Sequence, residues 1–250
     1  MVVSRILLTI LLAGLTANPA FALESAATPQ DYTAVYKVLR NGKELAAVTI
    51  QLSHQQDVWK LHGFTHGTRG LAKFLNIKGT QTTVGTWLDG RFRPDNYSFS
   101  FSLAGFRKSW QALFDWQSSL VTTRSNRGTV PLQMTEDAID PLSLSLNLRS
   151  ELVENQAQLS ARVVEEDKIK DHVYEVTGVE ATDTALGCIN TTRLQRLRNN
   201  PNRISQGWYA RNYSFIPVRL QHKSNGGNNL ELQITALEIA GKPIKAAASC

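Results

Sequence analysis

A chain of 250 residues in which 42% are hydrophobic and 19% charged can build a core, so a disordered or low-complexity polymer is excluded. Basic side chains exceed acidic ones by 27 to 21, a mild excess. After residue 22 no apolar run approaches the roughly 18 residues needed to cross a bilayer as a helix, which predicts a soluble mature chain.

The first residues read as a secretory signal. Arg5 is the only early charge, Ile6 to Leu15 is apolar but short for a stable span, and Ala20-Phe21-Ala22 places small residues where a signal peptidase cuts. Residues 1–22 are therefore expected to be removed, with a retained anchor helix as the alternative. Residues 23–30 form a loose lead-in, and no cysteine follows the apolar run to take a lipid. The expected location is the periplasm. An oxidising compartment lets Cys188 and Cys250 pair, tying down the tail 241–250 and closing a loop worth about 4 kcal/mol in the chain-entropy model. Free thiols or an intermolecular bond are the alternatives. The absence of a CxxC pair argues against a thiol oxidoreductase.

The folded part begins at Asp31. Tyr32 to Leu39 and Leu45 to Leu52 flank Asn41-Gly42, the strongest short-range hairpin signal, because both central turn residues need positive φ. Val58 to His66 adds a strand, Leu71, Phe74 and Leu75 fit a short helix, and Ile77 to Leu88 runs into a second turn at Asp89-Gly90. In Asn96 to Leu103, Tyr97, Phe99, Phe101 and Leu103 face one way and serines the other, a half-buried strand. Arg107 to Trp116 and Ser119 to Arg124 continue the sheet, with Trp110 and Phe114 as core aromatics. The stretch from Ser125 to Ile139, broken by Gly128 and Pro131, reads as a loop. Asp140 as N-cap and Pro141 at the first helical position then predict a helix over 141–154. Strand signals return at 157–164, 173–179, 188–198, 204–209, 215–223 and 230–239, the last two around a turn at Asn225-Gly226-Gly227-Asn228. The total is about twelve strands and two helices.

So many antiparallel strands must hide their edges. The expected fold is mainly β: one strongly curved antiparallel sheet, an open barrel or β-spiral, wrapping one central α-helix within a single domain over 31–240.

Several phrases add a family resemblance: Tyr32-x-Ala34-x-Tyr36, Phe92-x-Pro94-x-x-Tyr97, Phe114-x-Trp116, Asp140-Pro141-Leu142-Ser143-Leu144, Ala185-Leu186-Gly187 with Thr192-x-Leu194, Trp208-x-Ala210, and Ile216-Pro217-Val218-Arg219-Leu220. Their order and spacing over about residues 31–239 resemble the bacterial exported domain of unknown function 3108 family. The resemblance implies a periplasmic β-rich protein similar in shape to the curved sheets of lipoprotein carriers and envelope-integrity proteins. It transfers no catalytic residue, and it does not imply the cysteine at position 188.

The chemistry-bearing residues give few signatures. His54, His62 and His66 could approach a metal, but their spacing matches no zinc motif, so no metal is expected. Glu136, Asp137 and Asp140 could serve glycan hydrolysis only if two faced each other across a cleft; as a helix cap and its acidic flank they have a structural use. No GxSxG, GxxxxGK[ST] or GxGxxG occurs, and no catalytic residue or cofactor is assigned. Arg193, Arg196, Arg198, Arg203, Arg211, Arg219 and Lys223 form a candidate anion-binding surface for lipid phosphates or acidic polysaccharide, or a solvated strand face; export disfavours nucleic acid. The expected function is a non-enzymatic envelope protein holding a lipid-like ligand or a partner protein on a concave β-surface. A carbohydrate-active enzyme and a disulfide-stabilised structural subunit are the alternatives.

Overall fold

The structure, a computed structural model, describes residues 29–250 except 225 and 247. The expected signal and its cleavage site, and Asn225 of the last expected turn, lie outside the described residues. Strands β1 (Tyr32–Arg40) and β2 (Lys43–Gln55) form the first hairpin, and Asn41 and Gly42 take φ of 50° and 78°, as a two-residue turn matching strand twist requires. After β3 (Val58–Gly67) and the short helix α1 (Gly70–Phe74), β4 (Lys78–Leu88) and β5 (Arg91–Leu103) turn on Asp89 and Gly90 with φ of 49° and 75°. β6 (Phe106–Asp115) and β7 (Leu120–Ser125) follow, with Trp110 and Phe114 both buried.

The stretch expected to be a loop instead carries two strands, β8 (Gly128–Gln133) and β9 (Ala138–Ile139). Pro131, opposite Thr122, sits in an outermost strand, where its missing N–H breaks no ladder. The main helix is shorter than expected. α2 spans Leu144–Val153, and Pro141 to Ser143 form a turn leading into it. Beyond it run β10 (Gln158–Val164), β11 (Ile169–Thr184), β12 (Gly187–Leu197), β13 (Arg203–Ala210), β14 (Ile216–Ser224), β15 (Leu230–Ile239) and the short β16 (Lys242–Pro243). The described residues thus hold sixteen strands, not twelve.

All sixteen belong to one mainly antiparallel sheet that is not closed, in the order β8-β7-β6-β5-β4-β3-β2-β1-β15-β14-β13-β12-β11-β10-β9, with β16 on β15. Each half is a meander in chain order. The halves join where β1 lies antiparallel to β15, Tyr32 opposite Ile239 and Arg40 opposite Leu230. The two end strands, β8 and β9, are consecutive in sequence, with only Met134 to Asp137 between them.

Alternation puts one face of the strands into the core. Tyr32, Ala34 and Tyr36 of β1, Leu61 of β3, Phe92 and Tyr97 of β5, Val121 of β7, Ile216 of β14 and Ile234 of β15 join Leu146 of α2 in one apolar cluster. Leu148 and Leu152 of α2 pack in a second cluster with Leu159, Leu194 and Tyr209. The Tyr36 hydroxyl, removed from water, donates to the Pro217 carbonyl at 2.8 Å. Cys188 and Cys250, separated by 62 positions, form a disulfide with Cα atoms 4.7 Å apart, and the Cys188 N–H donates to the Ala248 carbonyl at 2.8 Å. Among the described residues no helix is long and apolar enough to cross a membrane.

Candidate functional site

Asp140, Ser143, Asn147, Arg149 and Glu151, five of the buried polar side chains, lie on α2 or in the turn leading into it. At its entry Asp140 is fully buried, and its carboxylate oxygen Oδ1 accepts the N–H groups of Leu142 at 2.8 Å and Ser143 at 3.0 Å and the Thr83 hydroxyl of β4 at 2.8 Å. The Ser143 hydroxyl donates to its Oδ2. Burial pushes the Asp140 carboxyl up, and these donors pull it back down. The four donors on this carboxylate all come from the protein itself. One turn on, the Asn147 Oδ1 accepts the Phe92 N–H at 3.0 Å and its Nδ2 donates to the Phe92 carbonyl at 3.3 Å, fastening the helix to β5.

The other end of α2 is open. A pocket of about 480 Å³ lies between the helix, the β4–β5 turn and the segment joining β13 to β14. Trp87, Leu146, Val153 and Phe215 supply apolar wall, and Arg149 and Arg211 supply cations. Arg149 is only 5% exposed. Its Nε donates to the Ser214 carbonyl at 2.8 Å, and its guanidinium carbon lies 4.9 Å from the centre of the Tyr32 ring. Among the described residues it forms no ion pair with a carboxylate, and its Nη1 is buried without a partner. The indole N–H of Trp87 is likewise buried and unpartnered. Burial raises the Tyr32 phenol above its ordinary range, and the Arg149 charge opposes that rise. Sequence reading missed Arg149, yet a signal was there: it stands three positions after Leu146 and seven after Leu142, on the apolar stripe of the helix.

A larger cleft of about 740 Å³ lies by the Met134–Asp137 link. It gathers Glu136 and Asp137 with Glu151 of α2, Arg91 and Trp116. Glu136 and Asp137 are exposed, whereas Glu151 is 9% exposed and burial lifts its carboxyl, with Arg91 opposing. The Trp116 ring carries the Arg93 guanidinium 4.3 Å from its centre. Asp140 does not line this cleft, so the expected acidic trio is divided.

Strand pairing also divides the seven expected cations. Arg193 and Arg219 both lie opposite Trp208, and Arg219 stacks 4.7 Å from the centre of the indole. Each has an acid: Glu180 is 3.6 Å from Arg193, and Glu231 is 2.6 Å from Arg219. Arg196, three positions along β12, faces the opposite way and pairs with Tyr174. Arg198 donates to Ser205 at 3.1 Å, and Ser205 meets His222 at 2.8 Å. His172, held neutral and pushed down to about 4 by burial and by Arg196, Arg198 and Lys170, completes this group. Arg203, Lys223 and Arg211 are exposed, and Arg211 lies outside the strands in a 3-10 turn (Arg211–Tyr213).

The three histidines that could have approached a metal each have other neighbours. His54 bonds Asp31 at 2.7 Å and stacks on Trp59, His62 bonds Thr82 at 2.9 Å, and His66 stacks on Phe64. Among the described residues no group of three or more His, Cys, Asp or Glu could hold a metal ion.

Comparison with known proteins places this geometry in context. The family model described as protein of unknown function (DUF3108) matches residues 31–235. A β-barrel-like protein of domain of unknown function DUF1849 from Brucella abortus superposes with a TM-score of 0.56 at 10% identity, over 85% of this chain and 99% of that one, which shows a shared fold. A candidate lipoprotein from Parabacteroides distasonis gives a TM-score of 0.36 at 11% identity over 84% of this chain and 97% of that one. A candidate exported protein with a YmcC-like fold from Bacteroides fragilis gives 0.38 at 10% over 84% and 96%. Comparison with curated proteins finds no match.

Proposed function

The chain belongs to the family described as protein of unknown function (DUF3108), and since that membership carries no activity, we propose its role from the geometry. It is a non-catalytic protein of the bacterial envelope, exported to the periplasm, that holds a lipid-like ligand where a single curved sheet opens beside α2. A flat sheet in this strand order would hold β8 and β9 roughly 65 Å apart at about 4.8 Å per strand. The link Met134–Asp137 reaches roughly 18 Å at most. That mismatch supports a sheet curled around the helix, with residues 31–240 as one unit. Curling also brings the two unpaired edges toward each other and shields them from other chains.

The observation that carries the reading is the pocket at the open end of α2. Its volume falls in the range of small-ligand sites, and its wall is made by aromatic and aliphatic side chains. Val153, 61% exposed on the last turn of the helix, is apolar surface with no protein partner over it. Native mass spectrometry of protein purified from envelopes without detergent stripping, with crosslinked capture from the same extract, tests the reading. A co-purifying lipid mass supports ligand carriage, and a crosslinked envelope protein with no lipid supports the partner form. Neither would overturn both.

A second reading, glycan hydrolysis in the larger cleft, is favoured by the raised carboxyl of Glu151 near the ionised Glu136 and Asp137. Incubation with purified envelope glycan tests it. New reducing ends made by the wild type and absent with Glu151→Gln would support it, and none from either protein would remove it.

A further inference from the structure

Resting on the ligand reading above, we infer that Arg149 is the receptor for an acidic head on that ligand, so that the pocket takes an apolar chain ending in a singly charged carboxylate or phosphodiester. A guanidinium taken out of water without a counter-ion is costly, and proteins ordinarily pair such a charge. Arg149 has had its exposure cut to 5%, and in return it has the Ser214 carbonyl, the face of the Tyr32 ring and a hydrogen-bond interaction with the Tyr32 side chain, none of them a counter-ion. Its Nη1 and the indole N–H of Trp87 are buried donors without a partner, and both residues line the pocket. Two donors beside an apolar wall match an oxyanion attached to a hydrocarbon, since a guanidinium binds carboxylate and phosphate oxygens through parallel hydrogen bonds. Arg211 stands exposed at the rim and adds a second positive charge, with its Nη1 on Thr192 at 3.1 Å. Glu154, exposed at the same rim, sets the limit: it repels a doubly charged head more than a singly charged one.

The other candidates carry less. Arg193 and Arg219 already have carboxylates, and the group of His172, Arg196, Arg198 and His222 borders no cavity among those described. The cleft holding Glu151 belongs to the second reading above.

Isothermal titration of the full mature chain with dodecanoate, lauroyl lysophosphatidylglycerol, dodecanol and inorganic phosphate, all below micellar concentration, tests the assignment. The two acidic chain probes should bind at least tenfold tighter than dodecanol, and inorganic phosphate should bind at least tenfold weaker than either. Arg149→Met should bring both acidic probes down to the affinity of dodecanol while leaving dodecanol unchanged. Should that variant lose its fold by circular dichroism, Asn212→Asp, an exposed charge change at the rim, should weaken the acidic probes several-fold and dodecanol not at all. Equal binding of acidic and neutral chains by the wild type would overturn the role of Arg149 and leave the lipid reading standing. Phosphate binding as tightly as the chain probes would overturn the amphiphile. No binding of any chain probe would overturn the lipid reading itself.

Discussion

The two ends of α2 bury opposite charges in opposite ways. Asp140, at the entry, is surrounded by donors from its own turn and from Thr83 across on β4. Arg149, near the exit, has the Ser214 carbonyl and the side chain of Tyr32, no carboxylate among the described residues, and one buried nitrogen without a partner. Both are ionisable groups in an apolar interior, so desolvation costs are comparable and the difference lies in what repays them. A satisfied buried charge fixes a helix against a sheet. An unsatisfied one keeps hydrogen-bonding capacity for a further partner.

The contrast is breakable. Asp140→Ala removes the acceptor shared by four donors, and equilibrium unfolding in urea should show a loss of about 3 kcal/mol, with Asp140→Asn losing about a third of that. A loss for alanine no larger than that for asparagine would mean the entry is not held by charge. His172 is a second buried group with both ring nitrogens unpartnered. Its folded-state pKa, lowered to about 4 from an ordinary 6.5, means that the unfolded chain binds the proton more readily. Stability attributable to His172 is therefore complete above pH 6.5 and falls away as pH drops toward about 4. Stability measured against pH for wild type and His172→Gln across that window should differ in slope by on the order of 1 kcal/mol per pH unit, and parallel curves would assign the acid sensitivity elsewhere. Arg149→Met should leave the stability of the ligand-free protein within about 1 kcal/mol of wild type, because the lost hydrogen bond is offset by the relieved desolvation. A drop as large as that of Asp140→Ala would erase the distinction between the two ends. The smallest effect belongs to Glu166, bonded by Lys108 at 2.8 Å and Arg127 at 2.7 Å and pulled down to about 2 by these partners. Both cations are half-exposed or more, so Glu166→Gln should cost under about 1 kcal/mol at neutral pH, and that cost should vanish as pH falls from 4.5 toward about 2.

The turns were legible in the residues because Asn41-Gly42 and Asp89-Gly90 satisfy a local steric demand that few other pairs meet. β8 was hidden by the same local logic. Pro131 and Gly128 read as loop chemistry, and only the strand's position at the end of the sheet makes a proline harmless there. The arginines show a different limit. Seven cations in thirty-one positions look like one surface in sequence, but whether Arg193 and Arg196 share a face depends on register, which the partner strands decide. The start of α2 was placed early because Asp140-Pro141 reads as a cap, whereas the first turn serves as a separate bend before Leu144. Arg149 carries no cluster signal: it is the one basic residue in a leucine-rich helix.

The pairing of β1 with β15 makes an early strand wait for a late one. Its register joins residues some two hundred positions apart, at the middle of the sheet, so neither meander can dock on the other until Leu230 to Ile239 has been delivered. Such long-range closure is slow relative to hairpin formation. Whatever pore or ribosome releases this chain, it releases two half-sheets with open central edges, and a nascent polypeptide arrested before residue 230 would offer those edges to chaperones and to other copies of itself.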